Sequence, residues 1–416
     1  MTLQRLLTAC PARALALAAA AACLPAAHAE TSPYYIGARE TITRDSNVYR
    51  APVAISDTIL STGIFGGLDQ QISRQRLRAN VSADWNRYRN EERLNNTSGS
   101  GLVRLDWATV EHLSGDLQVS HSQNLYRDYL QASQAEQKTV VKTTDAAFNA
   151  RLGVVTAWTL EAGVFGNRTR YDNPLLIGGN LDYNGYRAGV RYGQSSILNV
   201  GLAARHADGH YPNLGDDLDF KRNDIQLLIN WQPTGSSMLD GWISRSRVSY
   251  ESARPRSDNV TTGSLTYRYR PGGRLTLDAL FNRDTSAGQY TYQDVVLVDN
   301  APLPLGDAHA ATTRISTTTG LSAGYELTGK IKLALNLRHT ERQLDNTLDG
   351  LLQDQTISAS DKTNRASLTA SYDATRSLSF SCGVTRVKRS AEGSASLTYS
   401  YAVNLANCAA QFALQL

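Results

Sequence analysis

From Tyr35 to the C-terminus the chain alternates apolar and polar residues in segments of about 10 to 15 residues, and helical periodicity is nearly absent. Successive strand side chains point to opposite faces, so each segment presents one apolar and one polar face. Ile331, Leu333, Leu335 and Leu337 interleave with Lys332, Ala334, Asn336 and Arg338. Leu77, Ala79, Val81, Ala83 and Trp85 interleave with Arg76, Arg78, Asn80, Ser82 and Asp84, and Ile225, Leu227, Ile229 and Trp231 with Asp224, Gln226, Leu228 and Asn230. One such strand is commonplace in a soluble sandwich. A dozen or more, in hairpins of uneven loop length, predict an all-β fold: a transmembrane antiparallel β-barrel.

The connections take turns between two kinds. Short ones include Pro233 to Ser237, Pro271-Gly272-Gly273, Thr328-Gly329-Lys330 and Ala374-Thr375-Arg376; longer polar ones include Asp45 to Ser56, Glu91 to Ser100, Tyr129 to Thr139, Asp284 to Ala310 and Asp345 to Ser358. Short periplasmic turns alternating with long external loops are the outer-membrane pattern, and the spacing predicts about 18 strands, or about 16. An even count leaves both termini in the periplasm. Trp107, Tyr192, Trp231, Tyr269, Tyr325 and Tyr372 each precede a short turn, the depth of an interfacial aromatic girdle. The plainer reading is that aromatic residues favour strands.

Composition allows this architecture. The chain of 416 residues is 41% hydrophobic with a mean hydropathy of -0.34, too polar for a bundle of membrane helices but suited to a barrel, which needs apolar side chains only at alternate positions. No Pro-rich, Ser-rich or charged linker divides it, so residues 30–416 read as one barrel domain. Residues 1–29 have the order of a signal peptide: Arg5 and Arg13, the apolar run Ala14 to Leu24, Pro25, then Ala27-His28-Ala29 with cleavage expected after Ala29. The expected location is therefore the outer membrane of a Gram-negative bacterium. Losing Arg5 and Arg13 would reduce the formal charge from +4 to +2, a balance that argues against a nucleic-acid partner.

If the apolar stripes face lipid, the opposite stripes line a lumen. They carry Arg76, Arg78, Arg104, Arg187, Arg191, Arg205, Arg245, Arg247, Arg268, Lys332, Arg338 and Arg365 against fewer acids: Asp84, Asp106, Glu161, Asp224, Asp278 and Glu326. Rings of guanidinium groups lower the barrier for anions and bind carboxylates in bidentate fashion. The structural alternative is that these cations pair with lumen acids and hold the barrel's shape. Tyr126 to Tyr129 and Tyr290 to Tyr292 are candidates for stacking on sugar rings, or ordinary strand ends.

Catalysis finds little support. His112, His121, His206, His210, His309 and His339 show no metal-ligand spacing with matching acids or thiolates, and no Gly-x-Ser-x-Gly elbow is present. Neither an enzyme activity nor a cofactor or metal is expected.

The segment Arg44-Asp45-Ser46-Asn47-Val48-Tyr49-Arg50, followed by Ser56-Asp57-Thr58 and Gly66-Gly67-Leu68-Asp69, resembles the EpsL-type family of β-barrels associated with exopolysaccharide-biosynthesis operons. The similarity continues through Asn80 to Tyr88 and Leu94-Asn95-Asn96-Thr97, and into the segments with Cys382 and Cys408. The resemblance implies a role in carrying a secreted polysaccharide across the outer membrane or assisting its assembly there, with periplasmic export partners; no catalytic residues are carried over. A general porin for small solutes and a structural or adhesive surface barrel are the rival readings. The last strand, Cys408 to Leu416, resembles the signal read by the barrel-assembly machinery, with Leu416 where an aromatic ring is usual.

Cleavage after Ala29 would leave Cys382 and Cys408 as the cysteines of the mature chain. A hairpin of the last two strands symmetric about Ala395 sets them directly opposite each other, on the apolar face with Phe380, Val384 and Phe412, within reach of a disulfide. Two unpaired thiols facing lipid are the alternative.

Overall fold

The computed structural model describes residues 32–416 apart from 110–111, 130–136, 154–155, 194–196, 214–218, 251–255, 299–300, 350–354 and 396; the expected signal segment lies outside the described residues. The alternating segments form 18 strands in one sheet. They are β1 (Tyr34–Asp45), β2 (Asp57–Ile72), β3 (Gln75–Tyr88), β4 (Asn96–Ala108), β5 (Leu113–Leu125), β6 (Val140–Leu152), β7 (Trp158–Tyr171), β8 (Leu181–Tyr192) and β9 (Leu198–His210). The second half holds β10 (Phe220–Thr234), β11 (Ser237–Tyr250), β12 (Arg256–Tyr269), β13 (Leu275–Val298), β14 (Ala301–Glu326), β15 (Ile331–Asp349), β16 (Gln355–Asp373), β17 (Leu378–Gly393) and β18 (Tyr401–Gln415).

Every strand pairs antiparallel with its neighbours in sequence, and β1 pairs with both β2 and β18, which closes the ring. Closure removes the two unpaired edges that an open sheet would expose to aggregation. One ladder is shorter than the rest: β12 and β13 pair only from Gly263↔Arg283 to Tyr269↔Leu277.

The alternation read from the sequence decides inside and outside. On β10, Ile225 is 71% exposed while Asp224 and Gln226 on either side are buried at 2% and 4%. The same inversion recurs around the ring, with Val81, Val103, Val164, Leu202, Ile243, Leu368 and Val384 all exposed. An apolar belt on the outside of a closed barrel, enclosing polar side chains, suits a bilayer and not water.

At one end of the barrel short turns join the strands. Gly272 and Gly273, with φ of 97° and 71°, turn β12 into β13, conformations that a side chain would strain. Above these turns Trp107 stacks on Phe148 and Trp158 packs on Tyr192, and Trp231, Tyr325 and Tyr372 are exposed around the ring. The turn at Ser73-Arg74 carries no glycine or proline to announce it; Ser73 takes a positive φ instead.

At the other end, two segments read as long loops are paired strand. The Asp284 to Ala310 segment is a β-hairpin paired up to Val298↔Ala301, with a shift of register between Asp294 and Val295, and Asp345 to Ser358 stays paired up to Leu348↔Gln355. β-branched and aromatic residues, such as Tyr290, Thr291, Tyr292, Val295 and Val296, outweigh the polar and proline signals there.

Candidate functional site: a cationic wall closed by a loop carboxylate

The connections at the loop end fold toward one another. Val48 and Tyr49 after β1, Leu94 after β3, Tyr129 after β5 and Tyr399 after β17 bury their side chains in one cluster, together with Tyr88 at the end of β3. Hydrogen bonds tie the loops together. Asp57 accepts from the backbone N–H of Asn90 at 3.0 Å, Arg93 Nε donates to the Tyr49 hydroxyl at 2.7 Å, and Lys138 Nζ donates to the Asn95 carbonyl at 2.6 Å. Burial, helped by the Glu91 carboxylate that accepts from it, pushes the Tyr49 phenol up to about 12. A mouth made of loose polar loops would bury no such aromatic cluster.

The loop that follows β5 reaches across the ring. Its Asp128 meets β14, β15 and β17, which lie across the ring from β5. The carboxylate is 2.6 Å from Arg389, 3.0 Å from Arg342 and 3.2 Å from Arg314. Arg342 also pairs with Asp361 of β16 at 2.6 Å, with the Arg342 and Asp361 side chains only 3% and 0% exposed, and Thr398 donates to Asp361 at 2.8 Å. Beside Asp128, Tyr126 packs edge-on against Tyr129 and Tyr171 and donates to the Asp128 carbonyl at 2.6 Å. Although a third of the Asp128 side chain stays accessible to the lumen, it is set deep among protein atoms. That burial raises its pKa, but the fields of Arg342, Arg314 and Arg389 outweigh it and hold the carboxyl well below the usual carboxylate range.

Below this knot the same wall stays basic. Arg338 of β15 is directly opposite Arg365 of β16, on the inward face between Leu337 and His339, and no carboxylate pairs with either among the described residues. Two guanidinium groups side by side without an acid form a natural stopping place for an anion.

Most of the other lumen candidates also point inward, but with partners. Arg76 pairs with Asp69, Arg78 and Arg104 share Asp106, Arg187 and Arg191 share Glu161, Arg205 pairs with Asp224 and Arg268 with Asp278. Lys332 faces Asp373 at 3.5 Å. Arg205 also lies over the rings of Phe165 and Tyr183, 4.5 and 5.5 Å from their centroids. Around most of the lumen, therefore, guanidinium and carboxylate alternate and largely cancel.

Arg245 and Arg247 are not in the lumen. In the β10–β11 ladder Arg245 is opposite the exposed Ile225, and directly opposed residues share a face, so both arginines project outward while Ser244 and Ser246 are buried inside. Ile243 on the same face carries the alternation that shows it. The side chains of Tyr290, Tyr292 and His309 lie outside the described residues.

Arg314, Arg342 and Arg389 were not among the sequence candidates. Arg342 was within reach of them, since it continues the inward face of Arg338 two alternations further along β15. Asp128 was not, because no local pattern tells a loop carboxylate that it will cross the barrel. Cys382 and Cys408 are directly opposed in the β17–β18 ladder, with Cα atoms 4.1 Å apart, and are joined by a disulfide on the outward face.

No family model and no curated protein matches the chain. Among solved structures it is similar to the siderophore receptor PirA from Acinetobacter baumannii, at 9% identity over 93% of this chain and 81% of that one, with a TM-score of 0.41. It is similar also to the FrpB iron transporter from Neisseria meningitidis, at 9% identity over 93% and 83% of the two chains and a TM-score of 0.44. A third is OpdL from Pseudomonas aeruginosa, at 11% identity over 92% and 99%, with a TM-score of 0.40. The architecture itself rests on the closed, hydrogen-bonded ring of this chain.

Proposed function

We propose that the protein is an outer-membrane conduit that takes part in the export of a secreted anionic polysaccharide, and that its mouth is held closed by Asp128. The observation that carries this reading is the Asp128 carboxylate, clasped by Arg314, Arg342 and Arg389 above Arg338 and Arg365, which have no carboxylate partner among the described residues. A wall that already holds a carboxylate by three guanidinium groups has the chemistry to hold the carboxylates of an acidic sugar chain. Such a chain arriving from below would meet Arg338 and Arg365 first and then compete with Asp128. The outward apolar belt supports membrane placement, and the resemblance to the EpsL-type barrels supports the polymer as cargo.

A general porin for small solutes is the second reading, and a specific observation favours it. The remaining lumen arginines are neutralised by Asp106, Glu161, Asp224 and Asp278, a lining that keeps a pore wet without selecting a polymer. Planar-bilayer recording separates the two. With purified protein carrying Asp128→Asn, a soluble polyuronate added on the turn side should block the current at concentrations where neutral dextran of the same length does not. Equal block by both polymers would favour the general porin. Absence of any channel, in the wild type and in the Asn variant, would remove both transport readings.

A further inference from the structure

The outer surface has a basic site of its own, unrelated to the lumen. Arg44 near the end of β1 hydrogen-bonds only hydroxyls, Thr58 at 3.1 Å and Ser56 at 2.9 Å. Arg89, just beyond β3, is tied to the same row by its backbone N–H, which donates to the Thr58 carbonyl at 3.1 Å. Across β18, Arg386 and Lys388 of β17 project outward, as their opposition to Ala366 and Asn364 on the outward face of β16 shows. None of these four cations has a carboxylate within ion-pair distance among the described residues. Elsewhere on the ring the outward Arg168 and Arg170 both pair with Asp182, at 2.9 and 2.6 Å.

Between the two pairs runs a trough on the outer wall. One depression of about 660 Å³ is bounded by Ile42, Arg44, Arg89, Leu368, Val384 and Ala406. A second of about 600 Å³ continues it through Leu335 and Ala366 to Arg386. The floor is thus apolar and faces the belt, while Arg44 and Arg89 stand on one side and Arg386 on the other, with Lys388 two residues further along β17 in the adjoining depression. The Cys382–Cys408 bridge lies in that floor, fixing β17 against β18 beneath it.

We propose that this trough holds a lipid whose headgroup carries two separated phosphates, with its acyl chains laid over Leu368, Val384 and Ile42. Charge complementarity selects the occupant: unpaired guanidinium groups at the rim of an apolar surface take up phosphate oxygens through charge-assisted hydrogen bonds. Cations at both sides of the floor, Arg44 and Arg89 on one and Arg386 on the other, match two separated phosphates better than one. The proposal rests on the membrane placement of the outward face, and not on the cargo of the lumen.

Native mass spectrometry of the full barrel in detergent tests it, with diphosphoryl lipid A, its monophosphoryl form with identical acyl chains, and phosphatidylethanolamine as probes. A single diphosphoryl adduct should persist, and Arg44→Ser with Arg386→Ser should weaken it by about tenfold or more. Arg168→Ser with Arg170→Ser should leave it unchanged. Equal retention of all three lipids, or of the diphosphoryl form by the Arg44/Arg386 variant, would overturn the site. If that variant does not fold, the wild type still decides. Its adduct should weaken between about 50 and about 500 mM NaCl, as phosphate contacts at a surface do, and a salt-independent adduct would overturn the proposal. A barrel that takes up no lipid of any class and stays dispersed without detergent would overturn the membrane placement as well, an outcome distinct from indifference to the headgroup.

Discussion

The Asp128 carboxylate, on the loop after β5, lies 3.0 Å from the Arg342 guanidinium on β15, so a residue from one side of the ring is held by the wall opposite. This contact gives the first prediction. Asp128→Asn keeps the shape of the side chain and removes its charge, which leaves Arg314 and Arg389 without the carboxylate that holds the loop. The single-channel conductance in planar bilayers should rise several-fold. A conductance equal to that of the wild type would show that the loop is not held by this charge.

The second prediction concerns pH. The three guanidinium groups depress the folded-state pKa of Asp128 below that of an unfolded carboxyl, roughly 4. The stabilisation is therefore fully present above that unfolded value and is lost as pH falls through the lower folded one. Between about pH 4.5 and 7.5 the closed conductance should be flat. Tyr49 and Tyr399, both raised to about 12, do not titrate there either. An opening transition centred near pH 6 would mean that some group other than Asp128 closes the mouth.

Selectivity provides the third. Arg338→Ser with Arg365→Ser removes two lumen cations that lack acidic partners among the described residues and should abolish most of any anion preference, measured as reversal potential under a salt gradient. Arg245→Ser with Arg247→Ser should leave the reversal potential unchanged, because both project from the outer wall. An effect of the second pair as large as that of the first would contradict the inside–outside assignment.

What the sequence disclosed and what it withheld have a common physical origin. Strand alternation is local, so the closed ring, the outward belt and the inward faces of Arg76, Arg104 and Arg191 could be read from neighbouring residues. Arg245 and Arg247 were misplaced although Ile243, two residues away, marks their face as outward. The hairpin of β13 and β14 reads as a loop because Pro302, Pro304 and Asp307 interrupt its pattern, while its pairing partner is set by the turn and not by composition. The contacts of Asp128 with Arg342 and Arg389 join residues 214 and 261 positions apart. Only the closure of the barrel brings them together.

Topology supplies the fourth prediction. A peptide tag inserted in the connection between Val298 of β13 and Ala301 of β14 should be labelled by antibody on intact cells, and a tag at Gly272 should be labelled only after permeabilisation. The two sites lie at opposite ends of the barrel. Labelling of the Gly272 tag alone on intact cells would invert the orientation.

The last prediction follows from the opposition of Cys382 and Cys408. The bridge closes a segment with a sequence separation of 26, which in the chain-entropy picture stabilises the fold by about 3.5 kcal/mol. The β17–β18 ladder extends on both sides of the bridge, from Leu378↔Phe412 to Arg389↔Tyr401, so the barrel should still form when the bridge is absent. Mass spectrometry of unreduced, alkylated protein should recover one linked peptide containing both cysteines. Reduction, or Cys382→Ser with Cys408→Ser, should lower the temperature at which the folded electrophoretic form is lost, while conductance at room temperature stays unchanged. The two results separate register from energetics. Both cysteines recovered as alkylated thiols would argue against the hairpin's pairing, whereas a linked peptide with no loss of heat stability on reduction would show that β1 and β16, hydrogen-bonded on either side, already hold these strands in place.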